Sequence, residues 1–98
     1  MNIISAKDWV EKFSKDQNYE LFDIREAYET VESKLKVKNF PMAELAENPT
    51  LLNADKQCVI MCNSGKRATA LVNLLETDFK MNNLSVLEGG YTALEPFL

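Results

Sequence analysis

The sequence of 98 residues predicts an α/β domain, a mostly parallel sheet flanked by helices on both faces. Two observations lead to this prediction. Short apolar runs of strand length alternate along the chain with segments whose apolar residues recur every three or four positions. One run, residues 57–61, is apolar at every position after the first, as expected of a central parallel strand covered on both faces. The length suits one core, so we expect residues 1–98 to form a single domain.

The first elements of the chain are a helix and a strand. Ser5 and Asp8 have the form of a capping box, and apolar residues follow at helical spacing, so a first helix is predicted there. Residues 20–24 form an apolar run that ends in a charge, which is typical of a buried strand opening toward a site. Residues 25–32 then have helical character.

The middle of the chain predicts an edge strand and a short helix. Residues 34–38 alternate strictly between lysine and apolar side chains, which favours a strand with one wet face at a protected sheet edge. Pro41 ends this strand. Residues 42–47 form a short helix that stops before Pro49, and a turn follows.

The last third of the chain repeats the alternation after the central strand. Residues 65–79 carry apolar side chains at helical spacing and predict a helix that covers the sheet. Residues 84–87 are the last strand, and Gly89 and Gly90 lead into a short terminal helix.

Charge and hydropathy exclude several classes of partner. The net charge is −4, which argues against nucleic acid as the main partner, because phosphate binding depends largely on lysine and arginine. No segment approaches the roughly 20 apolar residues of a membrane helix, so no membrane partner is expected. The first residues lack the pattern of a secretory signal, and we expect a cytoplasmic protein.

The chain has two cysteines and no histidine, which narrows its chemistry. Cys-His catalysis and histidine-based metal sites are excluded, and two cysteines alone do not form a zinc site, so neither a metal nor another cofactor is expected. If the stretch that ends at Met61 is an extended strand, Cys58 and Cys62 lie roughly 13 Å apart, beyond the reach of a disulfide. Cys58 lies on the same face of the strand as Ile60 and is predicted to be a core residue.

The segment CNSGKR, residues 62–67, directly follows the predicted central strand. Ligands of open α/β sheets bind beyond the carboxyl ends of the strands. Gly65 lets the backbone curl, so that the amides of the loop and the next helix N-terminus converge on one point. Lys66 and Arg67 oppose the helix dipole, which a bound anion would explain. These groups favour a Cys62 thiolate, a nucleophile that needs no histidine.

Four stretches resemble landmarks of the rhodanese (thiosulfate sulfurtransferase) family. Residues 59–68 resemble its active-site segment, residues 21–26 its "D-V-R-E", residues 39–41 its "N-I-P", and residues 86–91 its "L-x-G-G". They stand in the family's order and span most of the chain. The family's "G-H-I-P-G-A" is missing, and residues 33–38 stand in its place. The resemblance implies a rhodanese-like fold, with five mostly parallel strands flanked by helices on both faces.

The resemblance also implies a sulfurtransferase with Cys62 as its catalytic residue. The Cys62 thiolate would take a sulfur atom from thiosulfate or another small anionic donor, and carry it as a persulfide to a thiol or an acceptor protein. Loop amides would stabilise the charge, and Lys66 and Arg67 would bind the anion, Arg67 by bidentate contact. The predicted substrate-binding residues are Asn63, Ser64, Gly65, Lys66 and Arg67.

Three further residues are candidates for supporting the site. Asp23 and Arg25 either belong to the site or form a structural ion pair after their strand, and the structural role is favoured. Glu88 either shapes the cleft or caps the residues that follow it, and the sequence leaves both open.

Other functions also stay open. Taken alone, Cys62 could be an inert core cysteine, and the domain could be a non-catalytic binding module, although an inactive member would be expected to lose Cys62. A phosphatase or arsenate reductase of the same fold is the enzymatic alternative. The spacing from Cys62 to Arg67 is one residue shorter than in Cys-x5-Arg phosphatases, and no general acid is evident in the loop, which favours sulfur transfer.

Overall fold

Strands and helices alternate along the chain in the computed structural model, which describes residues 1–98. In chain order they are β1 (Asn2–Ile4), α1 (Ala6–Glu11), β2 (Tyr19–Asp23), β3 (Lys38–Asn39), α2 (Met42–Glu47), β4 (Gln57–Met61), α3 (Lys66–Asp78), β5 (Leu84–Leu87) and α4 (Gly90–Leu94). Short 3-10 helices cover Phe13–Lys15, Ala27–Thr30, Pro49–Leu51 and Glu95–Phe97. No helix has the length and apolar character needed to cross a membrane.

The five strands form one sheet in the order β1-β5-β4-β2-β3, and every pairing is parallel. The predicted α/β fold is therefore confirmed, and β4 is the central strand, as its continuous apolar sequence predicts. Because the strands run in the same direction, the residues after β2, β4 and β5 meet at one edge of the sheet.

Helices cover both faces of the sheet, and β4 supplies side chains to each face. Cys58 and Ile60 belong to a buried cluster that includes Leu71 of α3. Val59 lies on the opposite face, in a second cluster with Trp9 of α1. Burying one such aliphatic side chain contributes about 2 kcal/mol, so the two clusters hold β4, and the loop after it, in a fixed position.

The first helix begins as predicted. Ser5 is its N-cap, and the Ser5 side chain accepts a hydrogen bond of 3.0 Å from the main-chain N–H of Asp8. The helical character predicted over residues 25–32 is wrong in extent, since only the single 3-10 turn Ala27–Thr30 forms.

The strand predicted over residues 34–38 is also wrong for most of its length, because only Lys38–Asn39 pairs with β2. The alternation predicts burial correctly: Leu35 and Val37 pack against the second cluster, while the lysines that alternate with them, residues 34, 36 and 38, are exposed. The main-chain N–H of Lys34 is instead donated to the hydroxyl of Tyr91, 3.0 Å away. Alternation thus reports which side chains are buried, and it does not require that the main chain joins a sheet.

Candidate active site

Cys62 directly follows β4 at the carboxyl edge of the sheet and is fully buried. Its sulfur accepts hydrogen bonds from two main-chain N–H groups, that of Gly65 at 3.0 Å and that of Ala68 at 3.4 Å. Both donors come from the loop and first turn of α3, so the chain wraps around the sulfur. Two N–H groups aimed at one sulfur stabilise negative charge there.

The curl of this loop depends on Gly65, the residue that precedes α3. Its φ is +101°, in the left-handed region that glycine adopts without strain. The turn brings Gly65 beside the backbone of Gly89, and it aims the Gly65 N–H at the sulfur of Cys62. Gly65 therefore sets both the direction of the loop and one of the two hydrogen bonds to the sulfur.

The start of α4 holds the same loop from the other side. The main-chain N–H of Tyr91 donates to the carbonyl oxygen of Cys62 at 2.8 Å, and that of Thr92 donates to the carbonyl of Asn63 at 3.1 Å. Gly90 makes this approach possible: its φ is +60°, and a Cβ there would overlap the Cys62 carbonyl oxygen and lie 2.7 Å from the carbonyl carbon of Asn63.

Substitution of Gly90 by alanine is expected to destabilise the fold by about 2 kcal/mol or more, because alanine is strained at the left-handed φ of this residue and its Cβ would clash with the backbone of the Cys62 loop. Urea unfolding measures this loss. Gly65→Ala is the matched control, since its φ is also positive but its Cβ meets no atom closer than 3.5 Å. A loss for Gly90→Ala no larger than that for Gly65→Ala would show that the contact with the Cys62 loop is not tight.

The remaining loop side chains point outward. Asn63, Ser64 and Lys66 are exposed, and Lys66 takes part in none of the three ion pairs of the chain. Ser64 and Lys66 line a cleft of about 380 Å³ together with Glu88. Glu88 is itself exposed, and its main-chain N–H donates to the carbonyl oxygen of Ile4. Glu88 therefore borders the cleft and makes no hydrogen bond to the sulfur of Cys62.

Arg67 is held by Glu29, a residue that the sequence analysis does not single out. Its two terminal nitrogens donate to the two carboxylate oxygens of Glu29 at 2.8 and 2.9 Å. The hydrogen bonds from Arg67 and from the main-chain N–H of Glu26 lower the pKa of Glu29 to about 2, so the carboxylate is ionised at neutral pH. The bond to Glu29 also raises the pKa of Arg67, with a contribution from the nearby Cys62. The two terminal nitrogens of Arg67, which the sequence predicts to bind an anion by bidentate contact, thus already bind Glu29.

Asp23 and Arg25 form a buried ion pair beside the site. The side chain of Arg25 donates to the Asp23 carboxylate at 2.8 to 3.1 Å, and both side chains are 4% exposed. The guanidinium also lies 4.3 Å from the ring centre of Tyr91, the residue that anchors Cys62. Asn39 donates from its amide to the carbonyls of both Asp23 and Arg25 at 2.9 Å. This geometry ties β2, β3 and α4 together, and the pair makes no contact with the sulfur.

The fold and loop define an α/β domain with a cysteine held between the central strand and the helix that follows it. The family model described as "Rhodanese-like domain" matches residues 6–95, and the chain belongs to that family. The Bacillus subtilis (strain 168) protein named "Putative sulfurtransferase YtwF" is 33% identical over 94 residues, which cover 94% of this chain and 88% of that protein. These two findings support a sulfurtransferase-type role, in which sulfur passes from a donor to an acceptor.

Solved structures of relatives agree with the fold. A rhodanese-related protein from Thermoplasma volcanium superposes with a TM-score of 0.84 at 28% identity, over 99% of this chain and 93% of that one. A NAD-dependent persulfide reductase from A. fulgidus matches with a TM-score of 0.60 at 30% identity, over 76% of this chain and 13% of the reductase. The second match shows a domain of this kind within a much longer protein.

Proposed function

We propose that this protein transfers sulfane sulfur from thiosulfate or a persulfide donor to a thiophilic acceptor through a persulfide on Cys62. The observation that carries the proposal is the pair of N–H groups, from Gly65 and Ala68, on the sulfur of Cys62. They stabilise a thiolate before the reaction and the negative charge of a persulfide after it. The loop supplies this stabilisation without a histidine, of which the chain has none.

The first half of the reaction loads the cysteine. The Cys62 thiolate attacks the outer sulfur of the donor, a new S–S bond forms, and the donor's own bond to that sulfur breaks. The bonding pair leaves with sulfite when the donor is thiosulfate, or with a thiolate when it is a persulfide. In the second half a thiol or cyanide attacks the outer sulfur and Cys62 leaves as a thiolate, so the enzyme is regenerated without a net redox change.

Two further observations support sulfur transfer over phosphate chemistry. The loop closes on the Cys62 sulfur with N–H groups three and six residues away, which leaves a small cradle. The A. fulgidus relative is named a persulfide reductase, which supports persulfide chemistry in a protein that contains a domain of this fold.

Incubation of the protein with thiosulfate, and separately with polysulfide, is expected to add the mass of one sulfur atom. Intact mass spectrometry measures the gain, and cyanide is expected to remove the added sulfur as thiocyanate. The Cys62→Ser variant is the control and is expected to gain nothing. A wild-type protein that gains no sulfur from any donor would contradict the proposal, and Cys62-dependent hydrolysis of a phosphate ester would favour a phosphatase instead.

A further inference from the structure

The two cations of the loop differ in their freedom to bind an anion. Lys66 is exposed and makes no ion pair. Arg67 has both terminal nitrogens on Glu29. Glu29 is fixed in turn, since the main-chain N–H of Glu26 donates to its carboxylate at 2.8 Å and Arg25 donates to its carbonyl oxygen at 3.4 Å. The carboxylate is therefore held against Arg67, one of the two cations of the loop.

The pairing of Arg67 with Glu29 lowers the positive charge that a donor meets, and Glu88 beside Lys66 lowers it further. Lys66, Arg67 and Glu29 sum to one positive charge, where the two cations alone would give two. Thiosulfate carries two negative charges, whereas the sulfane group of a persulfide carries one. Coulomb energy scales with the product of the charges, so the carboxylate of Glu29 weakens binding of a dianion twice as much, in free energy, as binding of a monoanion. A guanidinium that is already in a bidentate pair with a carboxylate also has fewer free N–H donors with which to bind an oxyanion.

We propose that Glu29 is a specificity-determining residue that biases Cys62 toward sulfur donors with a single negative charge, such as persulfides, and away from the thiosulfate dianion. This inference rests on the proposed function, because it names the class of donor for the same cysteine.

A pair of donors matched in structure tests the inference. Thiosulfate and methanethiosulfonate both present a sulfane sulfur on a sulfonyl group, with two charges and one charge respectively. In Glu29→Gln we expect the second-order rate of Cys62 persulfide formation to rise about tenfold with thiosulfate and about threefold with methanethiosulfonate, since doubling the donor charge squares the factor. The preference between the two donors therefore shifts about threefold toward thiosulfate. Glutamine keeps the size of the side chain and still accepts one hydrogen bond from Arg67.

Glu32→Gln is the matched control. Glu32 is three residues further along, is exposed and makes no ion pair, so the variant changes the net charge equally. Its preference between the two donors is expected to equal that of the wild type. A shift in Glu29→Gln no larger than that in Glu32→Gln would overturn the inference, even if Cys62 forms a persulfide normally.

A binding measurement separates this inference from the proposed function. Sulfate and methanesulfonate have the same two charge states and no sulfane sulfur, and NMR titration can follow them at the amides of Gly65 and Ala68. Glu29→Gln is expected to bind sulfate about tenfold more tightly than the wild type, and methanesulfonate about threefold. If no donor loads Cys62, the proposed function fails and Glu29 selects no donor, while the sulfate result would show only that Glu29 weakens the binding of a dianion at this loop. Equal sulfate binding in both proteins would overturn it.

Discussion

Cys62→Ser is expected to lower sulfur transfer by at least about 10³-fold, because a serine hydroxyl is not ionised at neutral pH and cannot form a persulfide. The serine oxygen can still accept hydrogen bonds from the N–H groups of Gly65 and Ala68, so the loop is expected to keep its conformation. The rate of thiocyanate formation from thiosulfate and cyanide measures the effect. Thermal unfolding of the same variant shows whether the loss is chemical or structural.

Cys58→Ser is the matched control, because it makes the same substitution at the other buried cysteine. The sulfur of Cys58 hydrogen-bonds to the carbonyl of Asn53 at 3.3 Å, and burial raises the pKa of Cys58 to about 11. The thiol of Cys58 is therefore protonated at neutral pH and is no nucleophile. We expect Cys58→Ser to transfer sulfur at close to the wild-type rate. If sulfur transfer survives in Cys62→Ser and is lost in Cys58→Ser, the reaction takes place on Cys58, and the proposed role of Cys62 is contradicted.

Arg25→Met is expected to destabilise the protein by about 3 to 5 kcal/mol, because it leaves the buried carboxylate of Asp23 without a cation. For a domain of this size the melting temperature would fall by about 15 °C or more. The main-chain N–H of residue 25, 3.0 Å from Asp23, would remain as a donor but would not neutralise the charge. Calorimetry or urea unfolding measures the loss.

The double variant Asp23→Leu with Arg25→Met distinguishes an ion pair from a substrate contact. Removing both charges is expected to recover much of the stability that Arg25→Met loses, since a buried pair replaced by apolar groups is often close to neutral. A stable Arg25→Met that no longer forms the Cys62 persulfide would instead make Arg25 a site residue. That outcome would reverse the structural role that the sequence and the geometry favour.

Much of the fold follows from local patterns in the sequence. The continuous apolar run of β4 predicts its central position, and the helical spacing after Gly65 predicts α3. Cys62 is placed at the carboxyl end of the sheet because it directly follows that run. Patterns of this kind are readable because periodicity and turn residues act over a few neighbouring positions.

At the edge of the sheet the same patterns predict less of the structure. The alternation over residues 34–38 predicts burial correctly, and it predicts a strand where only Lys38–Asn39 pairs. Whether a main chain joins a ladder depends on the partner strand and on competing hydrogen-bond acceptors, such as the hydroxyl of Tyr91. Neither of these is encoded within the segment itself.

The sequence by itself determines the family and the loop around Cys62, since four motifs and one apolar strand are local features. The tertiary structure decides which charges of that loop are free. Glu29 is 38 residues from Arg67 in the chain, yet it takes both terminal nitrogens of the guanidinium. Gly90 likewise reaches the Cys62 backbone only because β5 lies beside β4. Such contacts depend on how distant segments pack together, so periodicity and spacing along the chain cannot predict them.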